Sequence, residues 1–286
     1  MKPLLLGTRG SDLALVQTRD AAARLRAAHP GLDVAEKIIR TTGDRRLDVS
    51  LSAPGPLDKG LFTKELEDAL LAGTVDAAVH SLKDLPTGQP PGLMLGAVLE
   101  RADCADALAS KHDGGWQGLP EGAAVATSSL RRKNQILLLR PDLRIVEIRG
   151  NVPTRLLKVL ENPDLDALIV ARAAIERLGD RVVPGGLRMS VIEEMLPAPG
   201  QGAVALECRS DDAETLALLA AIHHEPTARC VQAERDLLEK LGGGCHMPLG
   251  ARATIENGRV CLLAALFEPD GVQWISRDLS PEPPQK

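Results

Sequence analysis

The chain has 286 residues, 34 Lys and Arg against 39 Asp and Glu, and a net charge of −5. Its 44% hydrophobic content excludes a disordered or fibrous chain and leaves ample material for two or three domains. Two Trp, two Phe and no Tyr leave almost nothing from which to build a base-stacking platform or an aromatic cage.

Leu4 to Gly7 reads as a strand and leads into Thr8-Arg9-Gly10-Ser11. Ser11 is placed to cap a helix from Asp12 to about Ala28, which His29-Pro30-Gly31 closes. The three leucines of the first strand are too few for a signal-peptide core. Val34 to Ile39 is a strand, Leu61 to Leu71 a helix, and Val75 to His80 and Leu93 to Leu99 are strands. This alternation predicts a mainly parallel sheet with helices on both faces.

From about 103 to 197 the scheme recurs. Ala123 to Thr127, Ile145 to Ile148 and Asp166 to Ala171 read as strands, each followed by a helix: Ser129 to Leu139, Val152 to Leu160 and Arg172 to Leu178. The two segments share a local grammar of strand, Ser/Thr turn with arginine, then helix. Beyond Pro197-Ala198-Pro199 come a strand from Ala203 to Cys208 and helices from Asp212 to Ile222 and Thr227 to Lys240. Strands then run from Leu249 to Leu279 with a turn at Asn257-Gly258, and Ser280 to Lys286 reads as a frayed end. The longest apolar run, Val260 to Phe267, is far short of the roughly 18 residues of a membrane span. A cytoplasmic protein is therefore expected.

The five cysteines include no C-x-x-C pair, so neither a disulfide framework nor a structural zinc site is expected. Cys245 stands apart because it follows Gly242-Gly243-Gly244. It reads either as a reactive thiol on a glycine loop or as a loop cysteine without a role. His223-His224-Glu225 reads as an exposed helix end rather than a metal site.

Between Val125 and Leu160 there are eight basic residues and two acids, Asp142 and Glu147. An acidic chain with such a segment is expected to bind an anion. The acidic total and the lack of aromatics disfavour nucleic acid. Placement favours a small multi-anion, and arginine's planar fork suits carboxylates. Ser129, Arg131 and Arg132 sit at a strand-to-helix turn, Arg149 ends the next strand, and Arg155 lies on the following helix. Arg9 and Ser11 occupy the matching turn of the first segment. A second candidate is His80-Ser81-Leu82-Lys83-Asp84-Leu85-Pro86, in which Asp84 is either a catalytic carboxylate or a turn cap before proline.

Taken together and in order, these motifs resemble the porphobilinogen deaminase (hydroxymethylbilane synthase) family nearly end to end. The shared runs include Gly7 to Leu15, Thr42-Gly43-Asp44, Lys59 to Glu67, His80 to Pro86, Thr127 to Arg132, Arg149-Gly150-Asn151, Gly200 to Ala203 and Gly243-Gly244-Cys245. The resemblance implies an α/β fold of two periplasmic-binding-protein-like (type II) lobes with a cleft between them, plus a small α+β C-terminal domain. The implied boundaries are 1–99 with 201–222, 103–197 and 225–286. It implies a monomeric transferase that deaminates four porphobilinogen molecules and joins them head to tail into hydroxymethylbilane. The implied cofactor is a dipyrromethane held by a thioether to Cys245. Asp84 then matches the catalytic acid. Lys83, Ser129, Arg131, Arg132 and Arg155 match cofactor-binding positions, and Arg9, Ser11, Arg149 and Arg177 match substrate-binding ones. Phe62 is expected beside the substrate. No metal and no membrane or nucleic-acid partner is implied. Three places depart from the family pattern: Ser52 to Lys59, which lacks an extra lysine; Ala171 to Ala174; and a third domain without the usual final helix.

Overall fold

The computed structural model describes residues 3–45, 62–244, 247–268 and 271–279. Cys245, the Ser52 to Lys59 segment, Leu61 at the expected helix start and the Ser280 to Lys286 end lie outside the described residues.

The first lobe opens with β1 (Leu4–Thr8), α1 (Asp12–Ala28), β2 (Val34–Ile38), the short α2 (Thr42–Arg45), α3 (Lys64–Leu71), β3 (Ala77–Ser81) and β4 (Leu93–Val98). The chain then crosses into the second lobe. There it forms β5 (Asp106–Ser110), β6 (Ala124–Ala126), α4 (Leu130–Leu139), β7 (Arg144–Val146), α5 (Val152–Glu161), β8 (Ala167–Ala171), α6 (Arg172–Leu178) and β9 (Arg188–Ile192). A second crossing returns it to the first lobe as β10 (Val204–Arg209) and α7 (Ala213–Ala220). The small C-terminal unit is α8 (Glu225–Lys240) with β11 (Leu249–Glu256), β12 (Arg259–Glu268) and β13 (Gly271–Leu279).

The lobes are built alike. Strand order is β2-β1-β3-β10-β4 in one sheet and β7-β6-β8-β5-β9 in the other. In each, four strands run the same way, and the strand next to the last has just crossed from the other lobe. That strand pairs antiparallel on both sides. The expected mainly parallel sheets therefore each carry one reversed strand. The reversal has a topological cause, since a strand entering from a crossover arrives from the opposite end of the sheet.

Local chemistry accounts for the elements. The inner strand β8, Ala-Leu-Ile-Val-Ala, is buried along its whole length, as a strand covered on both faces requires. Leu6, Leu25, Val79 and Leu206 pack the core of the first lobe, and Leu156, Leu168 and Val170 that of the second. Each large aliphatic side chain so buried contributes about 1.5–3 kcal/mol. On the small unit, Cys230 and Ala233 of α8 lie against Ala251 and Leu262 of its three-stranded sheet.

The crossovers are fastened by α8. Glu234, fully buried, accepts both arms of the Arg101 guanidinium at 2.7 and 3.0 Å. It also accepts the backbone N–H of Gly200 at 2.7 Å and of Ala253 at 2.7 Å. One carboxylate thus joins both crossing segments to the C-terminal sheet. Arg235, the next residue, donates to the carbonyls of Leu85, Pro86 and Thr87, just beyond Asp84. Gly202 lets the two crossings touch. Its φ is +86°, and a Cβ there would stand 2.6 Å from the Ala102 carbonyl oxygen.

Candidate functional site

The first lobe presents the C-terminal ends of β1 and β3, and the second those of β6 and β8. After β1, Ser11 caps α1 and accepts from the Ala14 N–H at 3.4 Å. After β6, Ser129 caps α4 in the same way, accepting from Arg132 N–H at 3.4 Å. Both hydroxyls therefore lie where free backbone N–H groups and the helix dipole favour an anion. After β3, a single 3-10 turn over Leu82–Asp84 throws Asp84 out to solvent and leaves Lys83 half-buried beside it.

Arg9, Ser11, Phe62, His80 and Asp84 line one pocket. The Arg9 guanidinium lies 4.3 Å from the centre of the Phe62 ring, a cation–π contact that orders a long side chain at the pocket wall. Below the pocket, His80 Nε2 stands 3.1 Å from Glu207 Oε2, with both side chains buried.

The second lobe supplies the strongest charges. Arg131 donates to Asp106 Oδ2 at 2.6 Å and to the Leu196 carbonyl at 2.6 Å. Arg132 donates from Nε to Asp106 Oδ1 at 2.9 Å and to the Ile169 carbonyl at 3.1 Å. Burial opposes ionisation of Asp106, but the two guanidiniums outweigh it and hold the carboxyl well below its usual range. The Arg131 and Arg132 positions expected to bind cofactor are thus fixed by a carboxylate at the start of β5. That carboxylate is absent from the motifs singled out in the sequence.

Lys83 and Arg155 complete the cluster. Burial pushes the Lys83 ammonium down to about 8, and repulsion from Arg132 adds to it, while Asp84 and Asp106 pull the other way. Burial likewise takes the Arg155 guanidinium down to about 10, again with Arg132 opposing and Asp84 favouring its charge. Arg155 Nε and Arg131 Nε are buried without a hydrogen-bond partner among the described residues. Four cations here face two carboxylates, and two of their N–H groups are unspent.

Arg149 lies in the loop three residues beyond β7, with Nε 3.8 Å from Glu147 Oε1, and its carbonyl accepts from Lys158. Arg177 sits apart from the Asp84 pocket. It donates to the Gly202 carbonyl at 2.7 Å and lines a neighbouring cavity of about 390 Å³ with Arg24 and Arg101. Gln17 borders both spaces and exchanges hydrogen bonds with Ser81. Of the other cysteines, Cys104, Cys208 and Cys230 are buried, and burial pushes the Cys208 thiol up to about 11. His224 caps α8, accepting from the Thr227 N–H, so the His-His-Glu run is a helix end.

Two family models cover almost all of this chain. The one described as porphobilinogen deaminase, dipyromethane cofactor binding domain, matches residues 4–217. The one described as porphobilinogen deaminase, C-terminal domain, matches 228–282. The chain belongs to the porphobilinogen deaminase family. A porphobilinogen deaminase of Syntrophomonas wolfei is 46% identical over all of this chain and 92% of that protein. One of Desulforudis audaxviator is 48% identical over 96% of this chain and 87% of that protein. Among solved structures, substrate binding domain 2 of Lactococcus lactis GlnP, in an open conformation, aligns with a TM-score of 0.45 at 12% identity, covering 83% of this chain and 89% of that one. The two-lobed description of this family member rests on the sheet topology given above.

The residues present fit the family's dipyrromethane. That group is a multiple carboxylate, and the cleft holds a surplus of cations with buried, unpartnered Arg155 and Arg131 N–H groups. A planar guanidinium fork suits a carboxylate.

Proposed function

We infer that this chain carries out the porphobilinogen deaminase reaction, condensing four porphobilinogen molecules head to tail with loss of ammonia to give hydroxymethylbilane. It does so on a covalent dipyrromethane, which supplies the pyrrole position onto which new units are added. Cys245 is its anchor in this reading, a position outside the described residues that follows the Gly242 to Gly244 run. What supports the reading most directly is the cluster of Lys83, Arg132 and Arg155 around the exposed carboxylate of Asp84.

Each residue has a definite task. Lys83, Ser129, Arg131, Arg132 and Arg155 hold the acetate and propionate groups of the bound dipyrromethane. Arg9, Ser11, Arg149 and Arg177 take those of the incoming porphobilinogen and of the lengthening chain, with Phe62 ordering Arg9. Asp84 accepts hydrogen bonds from the pyrrole N–H groups. Its negative charge lies where positive charge develops as ammonia leaves the substrate, and it then helps move the ring proton as aromaticity returns. Burial makes these charge pairs stronger than they would be in water.

The reading divides the chain into 1–99 with 201–222, 103–197 and 225–286, and the separation of the strands into three sheets supports that division. A cytoplasmic monomer is the matching biological form. Among the described residues no helix is long and apolar enough to cross a membrane.

An intact mass of the purified chain tests the reading. The expected result is an adduct of two pyrrole units that Cys245→Ser abolishes together with porphobilinogen turnover. An unmodified mass in a chain that turns porphobilinogen over would overturn it.

A further inference from the structure

We propose that Gln201 is a positioning residue whose buried amide sets the spacing between Lys83 on the first lobe and Arg132 on the second, and so shapes the cradle for the dipyrromethane carboxylates. The inference rests on the reading above, in which both cations face that group.

Gln201 lies in the return crossing and is fully buried. An amide has two N–H donors and two acceptor lone pairs, and here all four are used. Its Nε2 donates to the Cys104 carbonyl at 2.8 Å and to Asp106 Oδ1 at 3.0 Å. Its Oε1 accepts from Lys83 Nζ at 3.2 Å and from Arg132 Nη2 at 3.5 Å. The backbone is held as firmly, since the Gln201 carbonyl accepts from Arg101 Nε at 2.8 Å and its N–H donates to Ala198. One side chain therefore touches the outgoing crossing, the carboxylate that orients Arg131 and Arg132, and one cation from each lobe.

Charge explains why an amide stands here. Lys83 and Arg132 repel each other, and each is opposed by burial. A carboxylate between them would quench the cations and lie against Asp106. An apolar side chain would leave the Cys104 carbonyl and the Lys83 ammonium without partners. A neutral group that donates on one side and accepts on the other keeps the two cations close yet available. The charged groups facing Lys83 are Asp84, Asp106, Arg131 and Arg132.

The test is cofactor loading rather than turnover. The full-length chain, made without cofactor, is incubated with porphobilinogen across a pH series, and the adduct is read by intact mass. In the native chain loading falls as pH rises through the Lys83 value of about 8. Gln201→Glu places a carboxylate on Lys83, so the fall moves up by about one pH unit. Gln201→Leu removes the acceptor, so it moves down. Both variants load about ten-fold more slowly. A merely structural hinge residue would not move the two limbs in opposite directions. Limbs that stay in place, or that move together, overturn the proposal. If Gln201→Leu does not fold, an unmoved limb in Gln201→Glu overturns it alone. Lys83→Met separates the two layers. Loss of the pH-dependent fall in that variant supports the assignment of Lys83, whereas a fall that persists in it refutes that reading and leaves the Gln201 proposal without its premise, hence refuted as well.

Discussion

Arg101 and Glu234 meet fork to fork, at 2.7 and 3.0 Å, between the first crossing and α8. The Glu234 side chain is 0% exposed and that of Arg101 12%. Removing one partner of such a pair leaves a charge that the interior cannot solvate. Glu234→Gln, which also turns a donor against one backbone N–H, is expected to cost about 3 kcal/mol. Urea denaturation with matched slopes checks this, and an unchanged midpoint would show that the pair is not what fastens the crossings.

Asp84→Asn keeps the size of the side chain and removes its charge. Asp84 is exposed, so the fold and the two-pyrrole adduct should persist. Turnover should fall at least about a hundred-fold, the low end of what a positioned proton-transfer group contributes. A chain that loads normally and turns over at the native rate would remove Asp84 from the chemistry.

Lys83 sets stability against function. Its folded value of about 8 lies below its ordinary 10.5, so between those values the unfolded chain binds more protons than the folded one. Stability of the cofactor-free chain should therefore rise with pH through that window, the cost of the buried charge being complete below about 8. Lys83→Met should stabilise the cofactor-free chain at pH 7 and lose this advantage above about 10.5. Denaturation at pH 7 and near pH 10.5 gives the comparison. A variant less stable than the native chain at pH 7 contradicts it.

Gly202→Ala places a Cβ 2.6 Å from the Ala102 carbonyl in a left-handed backbone conformation. Backbone faces backbone there, so neither side can yield by rotating a side chain. A loss of about 1–3 kcal/mol is expected, together with slower loading. Native-like stability and loading would mean that the two crossings can separate at no cost.

Much of the fold could be read from local pattern. Ser11 and Asp12 announce α1, and the Ala167 to Ala171 run announces β8. The strands β5 and β9 have no such local pattern. Asp106-Ala-Leu-Ala-Ser begins on a charge and is too short to show a period, and its acid is buried only because Arg131 and Arg132 reach it from 25 and 26 residues away. The direction of β10 was equally hidden, because it depends on which lobe the chain has just left. At the site, local pattern marks Asp84, Lys83 and the arginines as residues of strand-end turns, and only the resemblance to the family gives them roles. Asp106 and Glu234 carry none, and Gln201, though inside the Gly200 to Ala203 run, shows nothing there of its buried contacts. Their partners lie on distant elements, and only the assembled crossings bring them together.

Because β10 sits between β3 and β4, the first lobe is not a contiguous piece of chain. When the first hundred residues have left the ribosome, β3 and β4 still expose the edges that β10 will cover. Nearly three-quarters of the sequence must be synthesised before that sheet closes. The second lobe, continuous from β5 to β9, can close first. The topology thus lets the second lobe close before the first, and the waiting edges of β3 and β4 are where a nascent chain would need shielding.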